Sequence, residues 1–207
     1  MDAPKASVYI IDDDDSVRRA LGRVLGAHGY ATTGFASARQ FMEEADLDAG
    51  PACAVLDLQM PDMDGIALQQ ALGSRIPVII LTGHADVPKA VLTLQAGAID
   101  FLQKPVSDTQ LLHAVGKGCT CAVHQFAQAR ELRALQLKVA RLTPREREVL
   151  AWIVTGCRNK QVASQLGTVE KTIKVHRAHV MQKLEVDSLP ALVRIADLMG
   201  MVARTHI

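Results

Sequence analysis

Val55-Leu56-Asp57-Leu58-Gln59-Met60-Pro61-Asp62-Met63-Asp64-Gly65 is the segment whose reading decides the fold of the first half of the chain. An apolar run, interrupted by one carboxylate and closed by Met-Pro and a glycine, predicts a buried strand that ends in a surface loop. Pro61 lacks an amide donor and fixes its own φ, and glycine reaches conformations closed to other residues, so Pro61 and Gly65 dictate the loop's shape. Asp57 then stands at the carboxyl end of a strand, where open α/β sheets collect their functional groups.

The flanking sequence repeats the theme. Val8–Ile11 is a short β-branched run that stops at four consecutive acids, Asp12 to Asp15, and Val17, Leu21, Val24 and Leu25 then share one helical face. Ala31–Phe35 suits an edge strand and 38–45 a helix. After Asp57 come a helix at 66–72, a strand at 77–82 closed by Gly83, a helix at 87–96, a strand at 99–102 running into Lys104-Pro105, and a helix at 108–115. Five strand–helix alternations predict a doubly wound α/β domain of flavodoxin-like type with five parallel strands.

In such a sheet the polar residues at strand ends converge: Asp12 and Asp13, Asp57, Thr82 and Lys104. Each has an ordinary explanation on its own, as a solvated turn, a cap or a Lys-Pro bend. Their order at successive strand ends is what distinguishes them. Three carboxylates close together call for a hard divalent cation with oxygen ligands. A carboxylate nucleophile beside a metal, a lysine and a hydroxyl suits phosphoryl transfer onto Asp57.

With these residues in place, positions 5–118 resemble the receiver domains of two-component systems. The resemblance implies that Asp57 accepts a phosphoryl group and that Asp12, Asp13, Asp57 and the backbone carbonyl of Gln59 hold Mg²⁺. It further implies that Thr82 and Lys104 contact the phosphoryl group, and that Phe101 is the aromatic whose rotamer follows phosphorylation. Val106 departs from the pattern, which usually has an aromatic after Lys-Pro.

The second half reads differently. Phe126, Ala129, Leu132, Leu135, Val139 and Leu142 lie three or four apart and predict an amphipathic helical linker over 119–141. Thr143-Pro144-Arg145-Glu146 is a helix start, with Thr143 as N-cap and Glu146 at the capping-box position. That helix ends at Gly156. A short helix over 159–166 stops at Gly167, a third covers 169–184, and Ser188 begins a fourth reaching Met199, so 142–207 is predicted as a four-helix, all-α helix-turn-helix domain. On the third helix Val169, Ile173, Val180 and Leu184 are expected to face the core. Lys171, Lys174 and Val175 lie on the outer side, where Lys and the Val methyls can meet base edges. Thr172, Lys160 and Lys183 are placed for phosphates. Arg177 falls nearer the core, and His176 and His179 read as structural. The stretches Leu142–Leu150, Gly156, Asn159-Lys160, Thr172–His176 and Lys183-Leu184 resemble the LuxR-type module. A receiver joined to this module resembles the NarL/FixJ response regulators, and Thr82–Pro88 with the long linker favours the FixJ-like branch. The family pattern usually has Ser or Thr where Val169 stands, so Thr168 is the alternative cap.

Charge agrees with two partners. Residues 1–118 carry 15 acidic against 9 basic side chains, and residues 119–207 carry 14 basic against 7 acidic. That split suits a cation or basic group for the first half and nucleic acid for the second. At 207 residues and 49% apolar composition the chain accommodates two small cores. No uncharged apolar run is long enough to span a membrane and the N-terminus has no signal-peptide pattern, so a soluble cytoplasmic protein with no membrane partner is expected. Cys53, Cys119, Cys121 and Cys157 lack metal or redox spacing and read as isolated thiols.

The expected protein is a regulator, not an enzyme, built as a receiver (1–118), a linker (119–141) and a DNA-binding domain (142–207). A histidine kinase would phosphorylate Asp57, and phosphorylation would promote a homodimer that binds promoter DNA, with RNA polymerase a further partner if the protein activates. Two alternatives stay open. The receiver could answer to thiol oxidation or a ligand, or Asp12-x-Asp14-x-Ser16 could belong to a haloacid-dehalogenase-like phosphatase.

Overall fold

The computed structural model describes residues 6–61, 63–83 and 87–201, with Val87 described by its backbone alone. Asp62, the 84–86 part of the Thr82–Pro88 motif and the expected last residues of the second domain lie outside these. The chain divides into two compact units, Met1–Gln128 and Ala129–Ile207.

The first unit alternates β1 (Ser7–Ile11), α1 (Asp15–Ala27), β2 (Thr32–Phe35), α2 (Ala38–Glu44), β3 (Ala52–Leu56), α3 (Gly65–Leu72), β4 (Val78–Thr82), α4 (Val87–Gln95) and β5 (Asp100–Gln103), and α5 (Asp108–Ala140) follows. The five strands are parallel in the order β2-β1-β3-β4-β5. This is the doubly wound architecture expected. Strand residues alternate between two apolar layers because successive side chains point to opposite faces. Cys53, Val55, Ile79 and Leu81 pack with α1 and α5, while Ala54, Leu56, Val78 and Ile80 pack with Phe41 of α2 and Leu68 and Leu72 of α3. The order reverses between β1 and β3, which places a crevice at their carboxyl ends.

Two sequence expectations change. The helix expected to stop near Val115 and the separate linker helix are one element of 33 residues, α5. Gly116 and Gly118 do not break it, since a helical glycine costs only about 1 kcal/mol relative to alanine. Gly118 instead brings the helix close to the sheet: a Cβ there would lie 3.1 Å from Ile79 Cδ1 and 3.3 Å from Cys53 Cβ. The thiols, too, are not all isolated, because Cys53 Sγ and Cys119 Sγ lie 3.6 Å apart in the core.

In the second unit α6 (Pro144–Val154), α7 (Asn159–Gln165), α8 (Glu170–Leu184) and α9 (Leu189–Leu198) enclose Val149, Leu150, Ile153, Val162, Ile173, Val180, Leu184 and Leu192. The expected capping box begins α6: the Glu146 N–H donates to Thr143 Oγ1 (3.2 Å) and the Thr143 N–H to Glu146 Oε2 (2.8 Å). Gly167, with φ +61°, turns the chain between α7 and α8. Val169 is the N-cap of α8 and is 64% exposed, so it leaves the core face on which helical arithmetic placed it. The arithmetic fails because the extended N-cap residue precedes the helix and does not follow its periodicity. Neither Val169 nor Ser188 makes a side-chain cap hydrogen bond, and Thr168 does not replace Val169 as the cap.

Candidate functional site

The strand register brings the polar residues of the first unit together. Ile11 pairs with Leu56, Leu56 with Ile80, and Thr82 with Gln103. Asp12 and Asp57 therefore follow adjacent strand ends, Thr82 closes the next, and Lys104 follows the last. Asp12 is 2% and Asp57 6% exposed, and Thr82 is buried, while Asp13 lies in the open. Lys104 Nζ donates to Asp12 Oδ2 at 2.7 Å and to Asp57 Oδ2 at 2.6 Å. The Gln59 N–H donates to Asp57 Oδ1 (3.1 Å) and the Asp14 N–H to Asp12 Oδ1 (2.9 Å). Phe101 is half-buried beside the second apolar layer.

Gly65 shapes the loop that carries Asp57, for a different reason than its sequence suggested. Its N–H donates to the Leu58 carbonyl (3.1 Å), and a Cβ on it would lie 2.4 Å from the Asp57 carbonyl oxygen and 2.8 Å from Leu58 Cα. Space, not a positive φ, requires glycine here. Sequence reading also passed over Arg18, whose Nη1 donates to the Asp12 carbonyl (2.6 Å). Asp14 is the N-cap of α1, accepting from the Ser16 N–H (2.7 Å). An Asp directly before a helical run signals such a cap, so this role was legible.

Electrostatics explain what the pocket can hold. Burial pushes the Asp12 carboxyl above its ordinary value, outweighing the opposing pull of Lys104 and the Asp14 N–H. Burial acts to lower the Lys104 ammonium, but its bonds to Asp12 and Asp57 keep it above the usual lysine range. Carboxylate oxygens of Asp12, Asp13 and Asp57 all lie within 4.8 Å of one another. One ammonium against three carboxylates leaves excess negative charge in a donor set made only of oxygen. That composition fits a hard divalent cation.

In the second unit the outer side of α8 presents Lys171, Lys174 and Val175 to solvent; Thr172 is half-buried and Lys160, on α7, is exposed. Lys174 pairs with Glu170 one turn away, at 3.2 Å. Arg177 is half-buried with its guanidinium 3.5 Å from Asn159 Oδ1. Lys183, expected at a phosphate, has a partner within the unit: its Nζ donates to Glu146 Oε2 at 2.6 Å, tying α8 to the start of α6. Burial acts to raise the Glu146 carboxyl, but Lys183 together with the Thr143 N–H and hydroxyl holds it below its ordinary value. This strut was invisible in sequence because its partners stand 37 positions apart.

A parallel sheet with an acidic pocket at its switch point, followed in the chain by a helix-turn-helix unit with a basic outer face, defines a signal-receiving DNA-binding regulator. The chain belongs to the NarL/FixJ-type two-component response regulators. Residues 8–116 match the family described as response regulator receiver domain, and residues 140–196 match bacterial regulatory proteins of the luxR family. The transcriptional regulatory protein FixJ of Rhizobium meliloti (strain 1021) is 39% identical over 193 residues, which is 92% of this chain and 94% of that protein. The response regulator protein TodT of Pseudomonas putida is 37% identical, covering 92% of this chain and 85% of its own. The solved structure of the response regulator StyR aligns with a TM-score of 0.77 at 40% identity, covering 94% of this chain and 99% of that one. Membership makes the protein a transcriptional regulator and not an enzyme, which sets the phosphatase alternative aside. No described helix is long and apolar enough to cross a membrane.

Proposed function

We propose that Asp57 is the phosphoacceptor and that its phosphorylation by a partner histidine kinase turns promoter binding on through dimerisation. The observation that carries this reading is the convergence of buried Asp57 with Asp12, Asp13 and Lys104 at the strand ends. Asp12, Asp13, Asp57 and the Gln59 carbonyl would hold Mg²⁺, which when bound supplies positive charge for the incoming phosphoryl oxygens. The Asp57 carboxylate is the nucleophile, oriented by the Gln59 N–H. Lys104 moves from the carboxylate to a phosphoryl oxygen, keeping its charge inside the pocket. The Thr82 hydroxyl donates to a second phosphoryl oxygen, and Phe101 turns inward as Thr82 shifts, reshaping the α4–β5 face for pairing.

In this reading residues 1–128, whose core takes in Cys119 and Ala122, receive the signal, 129–141 link, and 142–207 bind DNA in the cytoplasm. Lys171, Lys174 and Val175 reach base edges, and Thr172 and Lys160 take phosphates. Lys183 has its first partner in Glu146 and supports the interface by holding α8 in place. Two DNA-binding units held in one dimer gain from effective concentration, so a modest single-site affinity suffices. RNA polymerase is a further partner if the protein activates.

The test is uptake of an acid-labile phosphoryl group from a small donor, read by intact mass. Wild type with Mg²⁺ takes up one group, and neither chelation of the metal nor Asp57→Asn permits it. Equal uptake by Asp57→Asn assigns the acceptor elsewhere and ends the proposal.

A further inference from the structure

The receiver core holds two nucleophilic side chains that phosphoryl chemistry does not use. Cys53, the second residue of β3, is fully buried, and Cys119 on α5 is 9% exposed; their sulfurs are 3.6 Å apart although 66 positions separate them in the chain. We infer that Cys53 and Cys119 form a reversible intramolecular disulfide under peroxide, a redox clamp between β3 and the root of α5.

The geometry asks little of the fold. A disulfide places its sulfurs about 2.05 Å apart, so the pair must close by roughly 1.5 Å, which rotation about two χ1 angles supplies once the backbones are near. They are near because of Gly118: a Cβ there would lie 3.3 Å from Cys53 Cβ and 3.4 Å from its Sγ. A Cβ at 118 would press on Cys53 and Ile79 at 3.1–3.4 Å, so glycine is the residue that lets the two thiols meet without such crowding. Cys121 is half-buried on another side of the same helix, and Cys157 belongs to the second unit.

The two sulfurs also differ in role. The hydrogen bond with Cys53 holds the Cys119 thiol below its ordinary value, while that bond and burial push the Cys53 thiol up. Cys119, which keeps some exposure, is thus the attacking thiolate. Its sulfur attacks one peroxide oxygen; the S–O bond forms, the O–O bond breaks, and the hydroxide released takes a proton to leave as water. Cys53 Sγ then attacks Cys119 Sγ; the S–S bond forms, the S–O bond breaks, and the thiol proton leaves with the hydroxide as a second water. One peroxide is reduced and two thiols are oxidised. The closed loop contains Asp57, Thr82 and Lys104, so the clamp ties together the segment that carries the pocket. Pairs of this transient kind are the ones compatible with a reducing compartment.

The experiment treats the full chain with one equivalent of hydrogen peroxide, then counts free thiols in denaturant and maps the peptides by mass. Wild type and a Cys121→Ser/Cys157→Ser variant lose two thiols, yield a Cys53–Cys119 cross-linked peptide, unfold several degrees higher, and revert with dithiothreitol. Cys53→Ser cannot resolve the sulfenic acid on Cys119, which dimedone then traps. Retention of all four thiols in wild type overturns the inference. So does linkage found only through Cys121 or Cys157, or a cross-linked chain that unfolds at a lower temperature.

Discussion

Replacing Gly65 by alanine adds a single methyl group in a place where only backbone surrounds it. The new Cβ would lie 2.4 Å from the Asp57 carbonyl oxygen, 2.8 Å from Leu58 Cα and 3.2 Å from the Asp57 carbonyl carbon. No flexible side chain stands there to yield, so the β3–α3 loop must move by about 1 Å to restore van der Waals contact. Gly65 is the first residue of α3, and alanine in a helix interior gains at most about 1 kcal/mol over glycine. Overpacking of a tight site costs roughly 1–3 kcal/mol, and backbone atoms relax least, so the upper end of that range applies and the net change is destabilising by about 2 kcal/mol. The loop that moves carries both Asp57 and Gln59. A displacement of about 1 Å in positioned reacting groups lowers a rate by about 100-fold. Urea unfolding of wild type and Gly65→Ala gives the stability change, and phosphoryl uptake from a small donor with Mg²⁺ gives the rate. A variant with the wild-type midpoint and wild-type uptake would show that the close approach does not govern the pocket.

Other consequences can be checked in parallel. The Glu146 carboxyl is held below its unfolded value, so its contribution is present above about pH 4.5 and is lost as pH falls through the lower, folded value. Glu146→Gln keeps an oxygen for the Thr143 N–H but removes the charge facing Lys183; it should cost about 1 kcal/mol at pH 7 and progressively less as pH falls below about 4.5, read from pH-dependent thermal melts of the second unit's transition. Lys174→Ala and Lys171→Ala should each weaken DNA binding and reduce the slope of log affinity against log salt by up to about 1 where the lysine meets a phosphate, whereas a base-edge contact alters sequence preference instead. Fluorescence anisotropy with two DNA sequences at several salt concentrations separates the cases.

The fold was legible because its signals are local. β1, β3, β4 and β5 each carry an apolar run stopped by a polar residue, and those polar residues form the candidate site: Asp12, Asp57, Thr82 and Lys104 stand at or just beyond the strand ends. The capping box at Thr143 and the turn at Gly167 were equally local. What escaped reading depends on packing at a distance. Gly118 looks like a breaker until the sheet beneath it is seen. Cys53 and Cys119 look unrelated until β3 and α5 are stacked, and Lys183 looks free until α8 crosses the start of α6. Val169 was misplaced by extending the helical period one residue beyond the helix.

Sedimentation of wild type and Asp57→Asn, with Mg²⁺, before and after a small phosphoryl donor, tests most directly whether Asp57 is the switch. The wild type is expected to move from monomer to dimer and the variant to stay monomeric. A wild type that takes up phosphate without any change in sedimentation, or a variant that dimerises alongside it, would contradict the account.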